Sequence, residues 1–169
     1  MASNPIFGRY KLFIFDADDT LRRTIAPGKP CPHRPGEWVL MPGVRDLLTQ
    51  VPWGSAGSPL FGIASNQDQV GYGRLTITTA RNLLRDLAHA AADCQPSDPA
   101  LQLCPHRLEQ ECECRKPQPG MLLTIMSYYG VGPDDTLFVG NHEVDREAAA
   151  RARTSFNWSS SFFPQPAYR

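Results

Sequence analysis

The sequence lacks almost everything that would commit it to a membrane, to export or to a polyanion. No apolar run approaches the ~20 residues that a transmembrane helix needs, and the opening MASNPIFGRY has none of the charged-then-apolar pattern of a signal peptide. Lysine plus arginine and aspartate plus glutamate are both 17, so no global field draws nucleic acid or an anionic bilayer, although a local basic patch is still compatible with that balance. There are no heptads, internal repeats or low-complexity tracts. Cysteine is scarce and odd in number, five in 169 residues, and three of the five crowd into residues 104–114. Without an export signal, that crowding argues for metal binding over a disulfide framework. With 41% hydrophobic and 20% charged residues, the chain is expected to be one soluble globular domain over 1–169, large enough to bury a core, cytoplasmic and monomeric.

What is present alternates. Short apolar runs at residues 10–15 (YKLFIF), 60–65 (LFGIAS), 101–104 (LQLC), 136–140 (TLFVG) and 155–158 (SFNW) read as strands. Between them lie helical patterns. PGVRDLLTQV starts near Pro42. Residues 75–93 put Ala80, Leu83, Leu84, Leu87, Ala88 and Ala91 on one face. GMLLTIMSYYG stops at Gly130, and EVDREAAARAR follows TLFVG. Residues 17–41, rich in proline and glycine, read as one long loop, and the tail is expected to be loose from about residue 164 to 169. Alternating strands and helices predict an α/β fold, a Rossmann-like doubly wound parallel sheet whose ligands sit beyond the carboxyl ends of the strands.

That rule selects residues by position. The strand ends deliver Asp16 with Asp18, Ser65 with Asn66, and Asn141 with Asp145, while Arg115 and Lys116 precede a helix. Of two carboxylates just past a strand, one can attack phosphorus and the other can protonate the leaving oxygen, with magnesium screening the repulsion. A solvated Asp-rich turn is the plainer alternative. Asp19 and Thr20 are expected to shape the turn. Lys116 can neutralise charge on a transferring group, and Asn66 can hold either substrate or Lys116. Cys104, His106, Cys112 and Cys114 give three thiolates and an imidazole, the right number for a closed tetrahedral zinc site, at a spacing tighter than in zinc fingers. The CPHR at residues 31–34 repeats CPHR at 104–107, but Cys31 and His33 have no cysteine pair after them and read as a chance echo. Cys94 reads as a free thiol, buried or half-exposed.

FDADDT, IASNQ, RKPQPGM and LFVGNHEVDREAAA, in this order over about residues 10–158, resemble the motifs of the haloacid dehalogenase superfamily of phosphohydrolases. SNQ, CPH and CECRKPQPGM narrow the resemblance to the histidinol-phosphate and heptose-bisphosphate phosphatase branch, which carries a structural zinc beside the active site. The resemblance implies Asp16 as nucleophile and Asp18 as general acid/base. Ser65, Asn66, Arg115 and Lys116 would contact phosphate or substrate. Magnesium would sit on the Asp16 carboxylate, the Asp18 backbone carbonyl and position 141. Two residues depart from the pattern: Asp19 stands where the family has glycine, and Asn141 where it has aspartate, with Asp145 one helical turn on as a further magnesium ligand.

No segment has room for a lid domain, so the fold is expected to be uncapped, with a small zinc-binding loop at 104–114. Arg22, Arg23, Lys29, His33 and Arg34 in the first loop either grip a second phosphate or are simply solvated. The expected activity is magnesium-dependent hydrolysis of a small phosphorylated substrate, a sugar or amino-alcohol phosphate such as heptose 1,7-bisphosphate or histidinol phosphate. The alternatives are a polynucleotide 3′-phosphatase, disfavoured by the neutral charge, and a phosphate-binding module that has lost turnover through Asn141.

Overall fold

The computed structural model describes residues 5–164. In chain order its elements are β1 (Leu12–Phe15), β2 (Arg22–Thr24), β3 (Trp38–Leu40), α1 (Val44–Leu48), β4 (Leu60–Asn66), α2 (Ile77–Ala92), β5 (Leu101–Cys104), α3 (Gly120–Tyr129), β6 (Thr136–Gly140), α4 (Glu143–Ala152), β7 (Ser155–Trp158) and α5 (Ser159–Phe162). The central sheet has five parallel strands in the order β5-β4-β1-β6-β7. The two-residue period of β1, fully buried, divides the core. Phe13 and Phe15 face α1, α2 and α5, whereas Leu12 and Ile14 face α3 and α4. The chain builds outward from β1 through β4 to β5, then crosses back to β6 and β7. The strand order therefore reverses beside β1, where a crevice opens at the carboxyl ends.

The helices obey their local signals. The Thr76 hydroxyl accepts from Thr79 N at 3.1 Å to start α2, and the apolar positions at three- and four-residue spacing are the buried ones. Gly130, at φ 65°, ends α3 as expected.

One expectation needs correction. Residues 17–41 are not a single loop, because β2 and β3 pair antiparallel with Arg22 opposite Leu40 and Thr24 opposite Trp38. Three-residue strands are too short to display a period, and the proline-rich connection hides them. A buried carboxylate organises that connection: Glu37 accepts from Lys29 Nζ at 2.6 Å, Arg34 Nε at 2.7 Å and His33 N at 2.8 Å. Lys29 and Arg34 are thus each paired with Glu37 within the loop. Among the described residues this hairpin is the element between β1 and α1, and no domain-sized lid accompanies it. The short helix α5 had no sequence signal. The expected loose tail lies outside the described residues, apart from Pro164.

Donation from Lys29, then from the His33 backbone, with Arg34 adding and burial opposing, holds the Glu37 carboxyl down at about 2 against an ordinary 4.5. The folded value lies below the unfolded one, so this contribution to stability is complete above about 4.5 and is lost as the pH falls toward 2. Glu37→Gln should therefore melt earlier than wild type near neutrality and lose less stability between pH ~5 and ~2.5. Parallel acid limbs in the two melting profiles would dismiss that role for Glu37.

Candidate active site

The Asp16 backbone N–H donates to Val139 O at 2.9 Å, which fixes its carboxylate at the mouth of the β1–β6 groove. Lys116, 3% exposed, reaches that carboxylate from the segment before α3. Its ammonium lies 2.6 Å from Asp16 Oδ1, 2.7 Å from Asp145 Oδ1 and 2.9 Å from Ala64 O. The contacts to Asp16 and Ala64 O are hydrogen bonds, and the third pairs the opposite charges of Lys116 and Asp145. Asn66 holds Lys116 by its backbone, as one expected reading had it: Lys116 N donates to Oδ1 at 3.0 Å and Nδ2 donates to Lys116 O at 3.2 Å.

Burial pushes the Asp16 carboxyl up, to about 6, against the pull of Lys116, while Asp145 and Asp18 add repulsion. Burial works against the Lys116 charge too, but the two carboxylates win and hold its pKa above the ordinary value.

Asp145 differs from its expected part as a free magnesium ligand. It is 1% exposed; Oδ2 accepts from Asn141 N at 3.1 Å and His142 N at 3.0 Å, and Oδ1 pairs with Lys116. It caps α4 and braces the 141 turn. Gly140 allows this, since a Cβ there would lie 2.5 Å from the Asp145 Cβ. Asn141 is exposed, its Oδ1 accepting from Thr20 Oγ1 at 3.1 Å. Asp19 adopts φ 61°, a left-handed turn where glycine is the easy choice and aspartate is tolerated.

Asp18 faces two donors, Arg22 Nε at 2.8 Å and Gln67 Nε2 at 2.7 Å. Gln67 also donates to Ser65 Oγ at 2.8 Å, leaving the buried hydroxyl its own proton to give. Sequence reading named neither Arg22 nor Gln67 as a partner of Asp18. Arg22, one of the cations expected in the first loop, is 1% exposed and turned inward. Arg115 Nη2 lies 3.4 Å from Asp68 Oδ2 and Nη1 is 3.5 Å from His106 O. It lines an open cavity of about 850 Å³ with Asn66, Glu113, Lys116 and His142.

The four cysteine and histidine ligands converge. Cys104 Sγ lies 3.5 Å from His106 Nδ1 and 3.7 Å from Cys112 Sγ. Cys114 Sγ lies 3.2 Å from that nitrogen and 3.6 Å from Cys112 Sγ. A tetrahedron with ~2.3 Å metal–sulfur arms has edges of about 3.7 Å, close to these separations, so the four groups could hold a metal ion. Arg115 N donates to Cys112 Sγ at 3.4 Å, tying the cluster to the residue before Lys116. Among the described residues this is the one such grouping. Cys31 is buried away from it, its thiol pushed up to about 12 by burial and then by Asp18. Cys94 is half-buried, with Sγ 3.7 Å from Ala88 O.

No family model matches the chain. The D-glycero-beta-D-manno-heptose-1,7-bisphosphate 7-phosphatase of Bordetella bronchiseptica is 32% identical over 146 residues, covering 84% of this chain and 76% of that protein. The enzyme of the same name from Pseudomonas putida is 33% identical over 113 residues, 67% of this chain; the match spans 63% of that protein's length. Among solved structures, the D,D-heptose 1,7-bisphosphate phosphatase of B. bronchiseptica, crystallised with magnesium and phosphate, superposes with a TM-score of 0.69 at 27% identity, covering 86% of this chain and 78% of that one. The chain belongs to the haloacid dehalogenase superfamily of phosphatases, in the branch that holds the heptose-bisphosphate phosphatases.

Removing the Asp145 carboxylate should cost both the turn it caps and one partner of a buried ammonium. Asp145→Ala is expected to lower the unfolding free energy by about 2–4 kcal/mol, and Asp145→Asn, which keeps the caps, by less. A loss below ~1 kcal/mol in urea denaturation of the alanine variant would show that Lys116 does not need it.

Proposed function

We propose that this chain hydrolyses a phosphomonoester of a small sugar, heptose 1,7-bisphosphate being the favoured substrate, through an aspartyl-phosphate on Asp16. The observation that carries the reading is the Asp16 carboxylate at the end of the central strand, 2.6 Å from a buried lysine, with Asp18 two residues on. The relatives described above act on heptose bisphosphate by name, which favours that substrate over histidinol phosphate or a 3′-phosphorylated polynucleotide.

Lys116 orients Asp16 Oδ1, and among the described residues Asp16 Oδ2 accepts no hydrogen bond, so it is free to react. Asp16 attacks phosphorus, the P–O bond to the sugar breaks, and the departing oxygen takes the proton of the Asp18 carboxyl. Water then attacks the same phosphorus and passes a proton to the Asp18 carboxylate. The P–O bond to Asp16 breaks, restoring its carboxylate and releasing inorganic phosphate. Ser65 and Arg115 are the groups that would bind phosphate or substrate beside this pair; Asn66 and Lys116 act by holding the site together.

The site carries more anionic than cationic charge: Asp16, Asp18 and Asp145 stand against Lys116 and Arg22. That surplus, with an all-oxygen donor set, fits magnesium on the Asp16 carboxylate, the Asp18 backbone carbonyl and the Asn141 side-chain carbonyl. When bound, the ion would screen the carboxylate–phosphate repulsion. Asp145 supports position 141 from behind instead of ligating. An amide at 141 supplies one negative charge fewer than the family's aspartate, which makes for weaker magnesium binding rather than none.

Phosphate release should be measured with magnesium on heptose bisphosphate, histidinol phosphate and a 3′-phosphorylated oligonucleotide. The expected result is turnover on the first, with at least ~10³-fold loss in Asp16→Asn, on the scale of removing an essential nucleophile. Full turnover in Asp16→Asn would eliminate the mechanism, and preference for the oligonucleotide would eliminate the substrate.

The Cys104, His106, Cys112 and Cys114 cluster is proposed to hold a structural zinc that pins the segment presenting Arg115 and Lys116. Four ligands close the coordination sphere and leave no open position for catalysis. Elemental analysis should find one zinc per chain, less than half of it retained in Cys114→Ser and all of it in Cys31→Ser. Zinc-free protein from a chelator-free preparation would contradict this assignment.

A further inference from the structure

Among the described residues Arg22, 1% exposed, is the largest of the fully buried side chains. A buried guanidinium is costly unless its donors are met. Here Nε donates to Asp18 Oδ1 at 2.8 Å, Nη1 donates to Leu83 O of α2 at 3.3 Å, and the guanidinium carbon lies 6.0 Å from the Trp38 ring of β3. The other Asp18 oxygen is taken by Gln67 Nε2 at 2.7 Å, and Gln67 is itself 1% exposed. Donors from two separate segments, the start of β2 and the loop after β4, thus grip the two oxygens of one carboxylate from opposite sides. A carboxylate on a turn would otherwise rotate among several rotamers. Held this way, it presents its remaining lone pairs in one orientation.

We infer that Arg22 and Gln67 are positioning residues that fix the Asp18 carboxyl in its proton-transfer orientation, Arg22 doing so by anchoring it to α2 and the hairpin. This rests on the reading of Asp18 as general acid/base given above. Of the groups that react, both residues contact only the Asp18 carboxyl, and they take no part themselves in the bonds made and broken at phosphorus. A group that acts through Asp18 should matter in proportion to how much the reaction needs Asp18. A sugar oxygen is a poor leaving group and needs the proton, whereas a nitrophenolate departs without one. A merely structural role, gluing the hairpin to α2, would lower both reactions alike.

The test compares kcat/KM, which reports the step that expels the leaving group, for a sugar phosphate and for p-nitrophenyl phosphate in the magnesium-loaded full chain. General acid catalysis is worth roughly 10²–10⁴-fold, and misplacing the acid forfeits part of it. Arg22→Met and Gln67→Leu are each expected to lower kcat/KM on the sugar phosphate at least ~10-fold more than on the aryl phosphate, with Arg22→Lys in between. Should Arg22→Met fail to fold, Gln67→Leu carries the comparison, since it removes hydrogen bonds without removing a buried charge. Loss of its bond to Ser65 would affect both substrates equally and leave the ratio unmoved. Equal losses on both substrates, or none, would overturn the inference. Asp18→Asn in parallel separates the two ideas. If it too shows no preference for the sugar phosphate, Asp18 is not the acid and the mechanism falls with the inference. If it does while the Arg22 and Gln67 variants do not, only the positioning role falls.

Discussion

The ammonium of Lys116 is the constraint on which the rest of the crevice depends. It lies out of water, hydrogen-bonded to the end of β1 and to a carbonyl of β4 and ion-paired with the first turn of α4. An ammonium buried with even one of those partners missing would carry a penalty of several kcal/mol. Its position therefore requires that the three elements stand where they do. Asn66 grips its backbone from β4, and the metal-fitting cluster, which begins at the end of β5, runs directly into it through Arg115. The cysteine knot, which looks peripheral to phosphate chemistry, is thereby coupled to it. The segment between residues 105 and 119 has no regular secondary structure, and the bond from Arg115 N to Cys112 Sγ is one of the contacts that hold it beside the buried lysine. Gly120 completes the turn, because a Cβ there would collide with Glu113 O.

Charge balance explains the second layer. Three carboxylates share the neighbourhood of β1 with two buried or nearly buried cations, and each carboxylate has a different task. Asp16 is held by one oxygen and open at the other, Asp18 is gripped at both, and Asp145 is wholly consumed in capping and pairing. The two departures from the family pattern sit at the edges of this arrangement. Asp19 takes a left-handed turn without needing to be glycine. Asn141 accepts a hydrogen bond from Thr20, a contact that does not demand a charge.

The core is divided by β1, whose alternating residues send aromatic rings to one face and aliphatic ones to the other. Phe13 and Phe15 lie among Phe7, Trp53 and Phe162, with ring centroids 5.1–6.5 Å apart. That aromatic face anchors the strand whose next residue is Asp16, the proposed nucleophile.

Much of this was legible in the residues themselves. Five apolar runs, the 3.6-residue pattern of residues 75–93 and the glycine at 130 are local signals, and each specifies its element without knowledge of the others. The rule that parallel sheets bind ligands at their carboxyl ends then picked out Asp16, Ser65, Asn66 and Asn141 from position alone, and the rarity of cysteine picked out the cluster at 104–114. Tertiary structure alone decided what these residues touch. Nothing within a few positions of Arg22 tells it to turn inward, because its carbonyl acceptor on α2 is 61 residues away. Asp145 braces the 141 turn with one oxygen while Lys116, 29 positions earlier, arrives at the other. Lys29 and Arg34 are paired with Glu37, whose burial comes from a hairpin too short to announce itself. Periodicity and strand-end position are properties of neighbouring residues and can be read in sequence, whereas the partner of a charge is chosen by whatever the packed fold brings within 3 Å.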